Sequence, residues 1–111
     1  MVHPGNVEDC ELVVRTLAGR REAFAALVRR HQRAVFSIPW RLTGDREVAE
    51  ELAQEAFLRA YQSLATFDVT HPLAPWLYHI TTNLSLNWLK RKQLPTVPLE
   101  QVTANNDRGV S

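Results

Sequence analysis

The amino-acid sequence predicts an all-α protein, a compact bundle of about four helices that ends in an extended C-terminal tail. Apolar residues recur every three or four positions along four separate stretches, which is the period of a helix. No stretch alternates apolar and polar residues as a half-buried strand would. The 111 residues suffice for one buried core but not for two independent ones.

The first predicted helix begins at Asn6, whose side chain can cap it, and Asp9 complements its positive amino end. Gly19 ends this helix. Its predicted apolar stripe consists of Cys10, Val13, Val14 and Leu17. Because Cys10 is the single cysteine and has no partner at ligand spacing, we expect a buried or half-buried thiol.

The second predicted helix begins near Arg21 and ends at Gly44. Its apolar stripe consists of Phe24, Leu27, Val28, His31, Val35, Ile38 and Leu42. Pro39 removes a backbone donor inside this helix, which predicts a kink or a break near Val35 and Phe36. We expect His31 to be buried with a satisfied hydrogen bond.

Asp45 is a natural cap for the third predicted helix. The buried stripe of this helix is predicted to contain small residues that permit close helix approach: Ala49, Leu52, Ala53, Ala56, Phe57, Ala60, Tyr61 and Leu64. Residues 66–72 break the period and contain Asp68, Thr70 and Pro72, so they are predicted to form a loop.

The fourth predicted helix has the apolar stripe Leu73, Trp76, Leu77, Ile80, Leu84 and Trp88. It ends in Lys90, Arg91 and Lys92, whose positive charge suits a helix carboxyl end. Residues 94–111 are polar and lack periodicity, which predicts a linker or disordered tail after a domain of residues 1–93.

The net charge of +1 conceals a segregation of charge, because acids gather at Glu47, Glu50, Glu51 and Glu55, far along the chain from the basic triplet. No apolar run approaches the roughly 20 residues that cross a bilayer, and the amino end does not resemble a secretion signal. We therefore expect no membrane insertion and a location in a bacterial cytoplasm.

An enzyme would need a set of catalytic or metal-binding side chains, and the sequence offers none. Neither Glu50, Glu51 nor Glu55 has a His three residues on, as helical dimetal sites require. Gly-rich phosphate loops, nucleophile elbows and paired zinc ligands are also absent from the sequence. We expect no enzyme activity, no metal and no cofactor.

Two motifs are more specific: GDREVAEELAQEAF at residues 44–57, and PWLYHITTN at residues 75–83 after Phe67. Together with ELV at residues 11–13 and Ala23-Phe24, they resemble region two of the extracytoplasmic-function (ECF, group four) sigma factors of the sigma-70 family. The resemblance covers roughly residues 9–92. It implies a domain that binds core RNA polymerase and recognises and melts the promoter minus-ten element to initiate transcription.

The resemblance implies that Glu51, Gln54 and Glu55 dock on the clamp helices of the polymerase's largest subunit. These residues share one helix surface, opposite the apolar stripe. The family usually has Asp where Glu51 stands, so one methylene is added to this contact.

The resemblance also implies that the fourth helix and the preceding loop read single-stranded non-template promoter DNA. The implied DNA-binding residues are Asp68, Val69, Thr70 and His71 around a pocket, Asn83 as the base-contacting amide, His79, and the cations Arg33, Arg41, Lys90, Arg91 and Lys92. Relatives often carry Arg where His79 stands. For Trp76 and Trp88 we favour core packing over stacking on bases, whereas Trp40 beside Pro39 could be exposed.

Two other functions remain open: a helix-turn-helix DNA-binding regulator, and a helical protein-interaction module without DNA contact. The first is disfavoured because residues 49–61 contain no turn residue. The resemblance further implies an anti-sigma factor as a partner, and a second promoter-reading domain (region four) beyond residue 111, which would make this chain a fragment.

Overall fold

Four α-helices and one 3-10 turn make up residues 4–93, the part of the chain that the computed structural model describes, with side chains for residues 7–92. They are α1 (Pro4–Leu17), α2 (Arg21–Thr43), α3 (Arg46–Ser63), the 3-10 turn (Leu64–Thr66) and α4 (Leu73–Gln93). The predicted all-α fold is confirmed, with no strand in residues 4–93. The predicted tail over residues 94–111 lies outside the described residues.

Helix α1 begins at Pro4, so the predicted cap at Asn6 is wrong, because Asn6 already lies inside the helix. A proline is well suited to the first helical position, where its missing N–H would have no partner. Residues Val14 and Leu17 were predicted to be buried, yet they are 56% and 49% exposed.

Polar residues take the place of these two on the buried side of α1. Asp9 is buried because it pairs with Arg30 and His31 of α2. Thr16 is buried because its hydroxyl donates to the Leu12 carbonyl at 2.7 Å. Satisfied polar groups can lie in a core, so apolar residues alone did not identify the buried face.

Helix α2 runs without a break from Arg21 to Thr43, so the predicted break near Val35 is wrong. Pro39 removes one hydrogen bond, but the helix packs against α1, α3 and α4 and stays continuous through Pro39. It ends as predicted at Gly44, which has a φ of 69° and donates its N–H to the Trp40 carbonyl. Leu42 is 40% exposed, contrary to the predicted stripe.

Helix α3 begins as predicted, with the Asp45 carboxylate accepting a hydrogen bond from the Val48 N–H at 3.2 Å. The predicted alanines are buried, which brings α3 close to both α2 and α4. Tyr61 is 49% exposed although it was placed in the stripe, because its ring lies edge-on against Phe24 at the surface. The ring centroids are 5.0 Å apart.

Two apolar clusters form the core. The first contains Val13, Leu27, Leu64, Phe67 and Leu73, and the second contains Val35, Ala53, Ala56, Ala60 and Leu77. Trp76 packs against both, which confirms its predicted place in the core. Two fully buried hydroxyls, those of Thr81 and Ser85, also face inward from α4 and donate to carbonyls one turn earlier.

Helices α2 and α4 run in the same direction, since Leu27 and Leu73 share the first cluster while Val35 and Leu77 share the second. The carboxyl ends of both helices therefore lie at one end of the bundle, and the loop before α4 lies toward the other. Among the described helices, none combines the length and apolar character that crossing a bilayer requires.

Candidate nucleic-acid interface

The acidic surface of α3 lies opposite its buried alanines. Glu51 and Gln54 are exposed, and Glu55 is partly covered. Arg59 donates from Nε to the Glu55 carboxylate at 3.1 Å, whereas Glu51 has no ion-pair partner among the described residues. The predicted outward orientation of this surface is confirmed. Of its two carboxylates, that of Glu51 is the one without an ion-pair partner among the described residues.

The loop of residues 67–72 is built around Asp68. The Asp68 carboxylate accepts hydrogen bonds from the Thr70 hydroxyl at 2.7 Å and the Thr70 N–H at 2.9 Å. These bonds, the hydroxyl's foremost, lower the pKa of Asp68 below its ordinary value of 3.8. The His71 N–H donates to the Asp68 carbonyl at 3.0 Å, so the loop is shaped before any ligand arrives.

A cavity of about 450 Å³ lies between this loop and the start of α4. Its lining consists of Thr66, Phe67, Asp68, His71, Pro72, Pro75 and Trp76. The Phe67 and Trp76 rings lie 5.0 Å apart and form an apolar wall, while Asp68 and His71 supply polar atoms. Such a site suits a flat aromatic group with a polar edge.

Only part of the predicted pocket lines this cavity. Asp68 and His71 do so, but Val69, Thr70 and Asn83 are not among the lining residues. Thr70 instead supports Asp68, and Val69 offers its carbonyl to Cys10. Sequence reasoning missed the apolar wall, although Trp76 belongs to the PWLYHITTN motif and Phe67 precedes that motif.

Asn83 lies on the exposed face of α4, one turn after His79. The Asn83 amide nitrogen is 3.2 Å from Nε2 of His79, and a hydrogen bond there makes Nε2 the acceptor. The amide carbonyl and second amide hydrogen remain for a ligand. The helical period places Pro75, His79, Asn83, Leu86 and Lys90 along one face of α4.

The five predicted phosphate-binding cations, Arg33, Arg41, Lys90, Arg91 and Lys92, are all exposed. None of them has an ion-pair partner within the described residues. Arg41 and the basic triplet lie at the same end of the bundle, because α2 and α4 run in the same direction. Trp40 next to Arg41 is 43% exposed and stacks on Phe36.

Comparison with known proteins identifies the family. Residues 27–94 match the family model of sigma-70 region 2. The chain belongs to the sigma-70 region 2 family. Two similar relatives are the ECF RNA polymerase sigma factors SigW of Bacillus subtilis and SigM of Mycobacterium tuberculosis, each 36% identical. The resemblance of the motifs to ECF sigma factors is therefore confirmed.

The alignments cover more of this chain than of its relatives. The SigW alignment spans 75 residues, 68% of this chain and 40% of SigW. The SigM alignment spans 101 residues, 90% of this chain and 52% of SigM. The chain thus spans about half the length, or less, of these sigma factors.

A solved structure has the same sigma-70 region 2 fold. It is the NMR structure of an engineered region 2 of sigmaE in complex with GTAAAA, at 37% identity and a TM-score of 0.67. The match covers 78% of this chain and 94% of that one. The roles given above to individual side chains of this region 2 domain stay predictions.

Proposed function

We propose that this chain is the promoter-melting domain of an alternative sigma factor, which docks on core RNA polymerase and reads the single-stranded minus-ten element. One observation carries the proposal. The solved structure with the same fold, region 2 of sigmaE, is a complex with GTAAAA, and the match covers 94% of that chain. The family match over residues 27–94 and the names of the relatives support the same function.

The proposed polymerase contact is made by α3. The outward side chains of Glu51, Gln54 and Glu55 offer two carboxylates and an amide to the clamp helices of the largest subunit. Glu51 can form an ion pair at once, because its charge is unpaired within the described residues. Glu55 either keeps its ion pair with Arg59 while it contacts the polymerase or breaks that pair. Breaking the pair costs little free energy because both side chains are exposed.

The proposed DNA contact follows the exposed face of α4. A base turned out of the stack enters the cavity, where it lies against the apolar wall formed by Phe67 and Trp76 and Asp68 and His71 meet its polar edge. Asn83 contacts a second base, and Lys90 lies about 22 Å from Pro75 along the helix axis. A single strand of a few nucleotides spans that length.

Phosphate contacts complete the proposed interface. Lys90, Arg91, Lys92 and Arg41 hold the backbone at one end of the strand, and Arg33 adds a cation about two turns earlier on α2. Melting then follows from binding energy alone, because captured bases no longer pair, so the proposed function requires no catalytic residue. It places the domain with polymerase in a bacterial cytoplasm.

The helix-turn-helix alternative is not favoured, since it needs a turn within residues 49–61, and α3 runs unbroken over Arg46–Ser63. An anti-sigma factor, if it blocks both proposed contacts, would cover the acidic surface of α3 and the loop before α4. The other alternative is a helical protein-interaction module without DNA contact. A direct measurement of DNA binding distinguishes it from the proposed function, because such a module would bind no single strand.

The test uses core polymerase and a fluorescent single strand that contains GTAAAA, with variants of this strand substituted at one position at a time. Replacing Lys90, Arg91 and Lys92 by Ala should weaken binding of every strand alike and flatten its salt dependence. Asn83→Ala should cost about 1–3 kcal/mol at one base position and leave the salt slope unchanged.

These outcomes separate two kinds of contact. The proposal fails if the chain binds neither core polymerase nor any single strand. The assignment of Asn83 fails if Asn83→Ala holoenzyme keeps the parent's preference at every position. Leu86→Ala, on the same face of α4 and 45% exposed, is the matched control for loss of an exposed side chain.

A further inference from the structure

Helix α1 touches the loop of residues 67–72 through a hydrogen bond. The Cys10 thiol donates to the Val69 carbonyl, with 2.9 Å between Sγ and O, across 59 residues of sequence. The Val69 side chain itself is 39% exposed, so this bond to the main chain is what ties the middle of the loop to α1.

The same helix also holds both ends of the loop. Val13, which has no exposed surface, packs in one cluster with Phe67, the first residue of the loop, and with Leu73, directly after the loop. Cys10 and Val13 are one turn apart on α1, so their contacts act together. Fixed ends and a fixed middle leave the loop with few alternative shapes.

Helix α1 is in turn held against α2 by a buried carboxylate. Asp9 is 4% exposed, and its two oxygens lie 2.9 Å from Nε of Arg30 and 3.0 Å from Nε2 of His31. This contact sets the position of Cys10, its neighbour in sequence, relative to the rest of the bundle.

Helix α1 lies before residues 27–94, which match the family model. We propose that α1 is the positioning element of the base-reading loop, and that Cys10 is its positioning residue. This inference rests on the proposed function, since it concerns the cavity proposed to capture a base. Cys10 does not line that cavity and acts through Val69.

The physical reason is preorganisation. Asp68 and His71 stand on either side of the Val69–Thr70 pair, so release of the Val69 carbonyl removes the tie of this segment to α1, while the hydrogen bonds within the loop stay. A loop ordered before the base arrives does not lose that conformational freedom on binding. The expected effect is on discrimination between bases, while polymerase docking through α3 is unchanged.

The test compares Cys10→Ala, which removes the donor, with Cys10→Ser, which keeps one, in the full chain bound to core polymerase. Cys10→Ala should reduce discrimination at one position of the melted element by about 2- to 10-fold, the range that one net hydrogen bond covers. Cys10→Ser should restore it in large part. In the free chain, Cys10→Ala should speed exchange of the His71 amide hydrogen.

Val14→Ala is the control, because Val14 is on α1 and 56% exposed. It should match the parent. Unchanged discrimination in Cys10→Ala overturns the inference, and so does a Cys10→Ser variant as defective as Cys10→Ala. His71→Ala separates the two failures: if His71→Ala also leaves discrimination unchanged, the cavity does not read a base and the inference is wrong, whereas the proposed function is wrong only if the parent chain binds neither core polymerase nor any single strand.

Discussion

Asp9 is the side chain whose removal should destabilise this domain most for its size. Its carboxylate is 4% exposed and accepts hydrogen bonds from Arg30 and His31, linking α1 to α2. Asp9→Ala would leave both partners without that acceptor. Arg30 would keep its contact with Glu8 at 3.0 Å.

The magnitude follows from how far these partners are buried. Breaking a fully buried ion pair costs about 3–5 kcal/mol. Here the Arg30 side chain is 34% exposed and keeps a second acceptor in Glu8, so we expect a loss of about 2–3 kcal/mol in the free energy of unfolding. For a domain of this size, that loss lowers the melting temperature by about 10–20 °C.

Thermal and urea unfolding of the full chain, followed by circular dichroism, measure this loss. The matched control is Glu8→Ala, which removes the neighbouring acid from the same Arg30 but leaves no buried group unpaired. The Glu8 side chain is 63% exposed, so its loss should cost less than about 1 kcal/mol. Equal destabilisation by the two substitutions would refute the reasoning.

Three further perturbations test the interfaces. Glu51→Lys with Glu55→Lys should abolish binding to the polymerase clamp helices and leave helicity unchanged; tight binding by the double variant, measured by pull-down, would refute the docking surface. Trp76→Ala should lower stability by about 2–4 kcal/mol, because this half-buried ring packs against both core clusters, and should weaken DNA binding as well. An unchanged melting temperature with lost DNA binding would show that the ring serves only to stack on bases. The Thr70 hydrogen bonds lower the pKa of Asp68, so their contribution to loop stability is present above pH 3.8 and is lost as the pH falls through the lowered pKa. Thr70→Ala should return the Asp68 titration toward 3.8, as NMR would show.

Local signals predicted much of the fold. The cap at Asp45, the end of α2 at Gly44 and the alanines of α3 each depend on residues within one or two turns, and all three predictions are confirmed. Such signals act between near neighbours, so they can be read from the sequence without knowledge of the partner helix.

Long-range contacts account for two of the errors. The buried face of α1 depends on Asp9, whose partner Arg30 is 21 residues away. Helical periodicity relates only residues a few positions apart, so it could not reveal this pair. The predicted break in α2 assumed that Pro39 acts on an isolated helix, whereas contacts with three other helices maintain it. Both errors arise where tertiary contacts override a local preference.

The candidate site divides in the same way. The outward positions of Glu51 and Gln54 follow from the helical period, and they were predicted correctly. The cavity depends on the meeting of Phe67 and Trp76, nine residues apart across a loop, and on Thr70 turning toward Asp68. Helical periodicity does not determine the conformation of a loop. The residue types there could therefore suggest a pocket, but not which side chains line it.

This division bears on how specificity can arise in the domain. The proposed polymerase contact uses the regular outer surface of α3, whose position depends on the buried alanines on the opposite side of the same helix. The proposed base contact uses a short loop whose shape depends on few contacts, among them the Cys10 hydrogen bond from α1. A single substitution in α1 or the loop can therefore alter base preference while the docking surface is unchanged, which allows the two proposed contacts to vary independently.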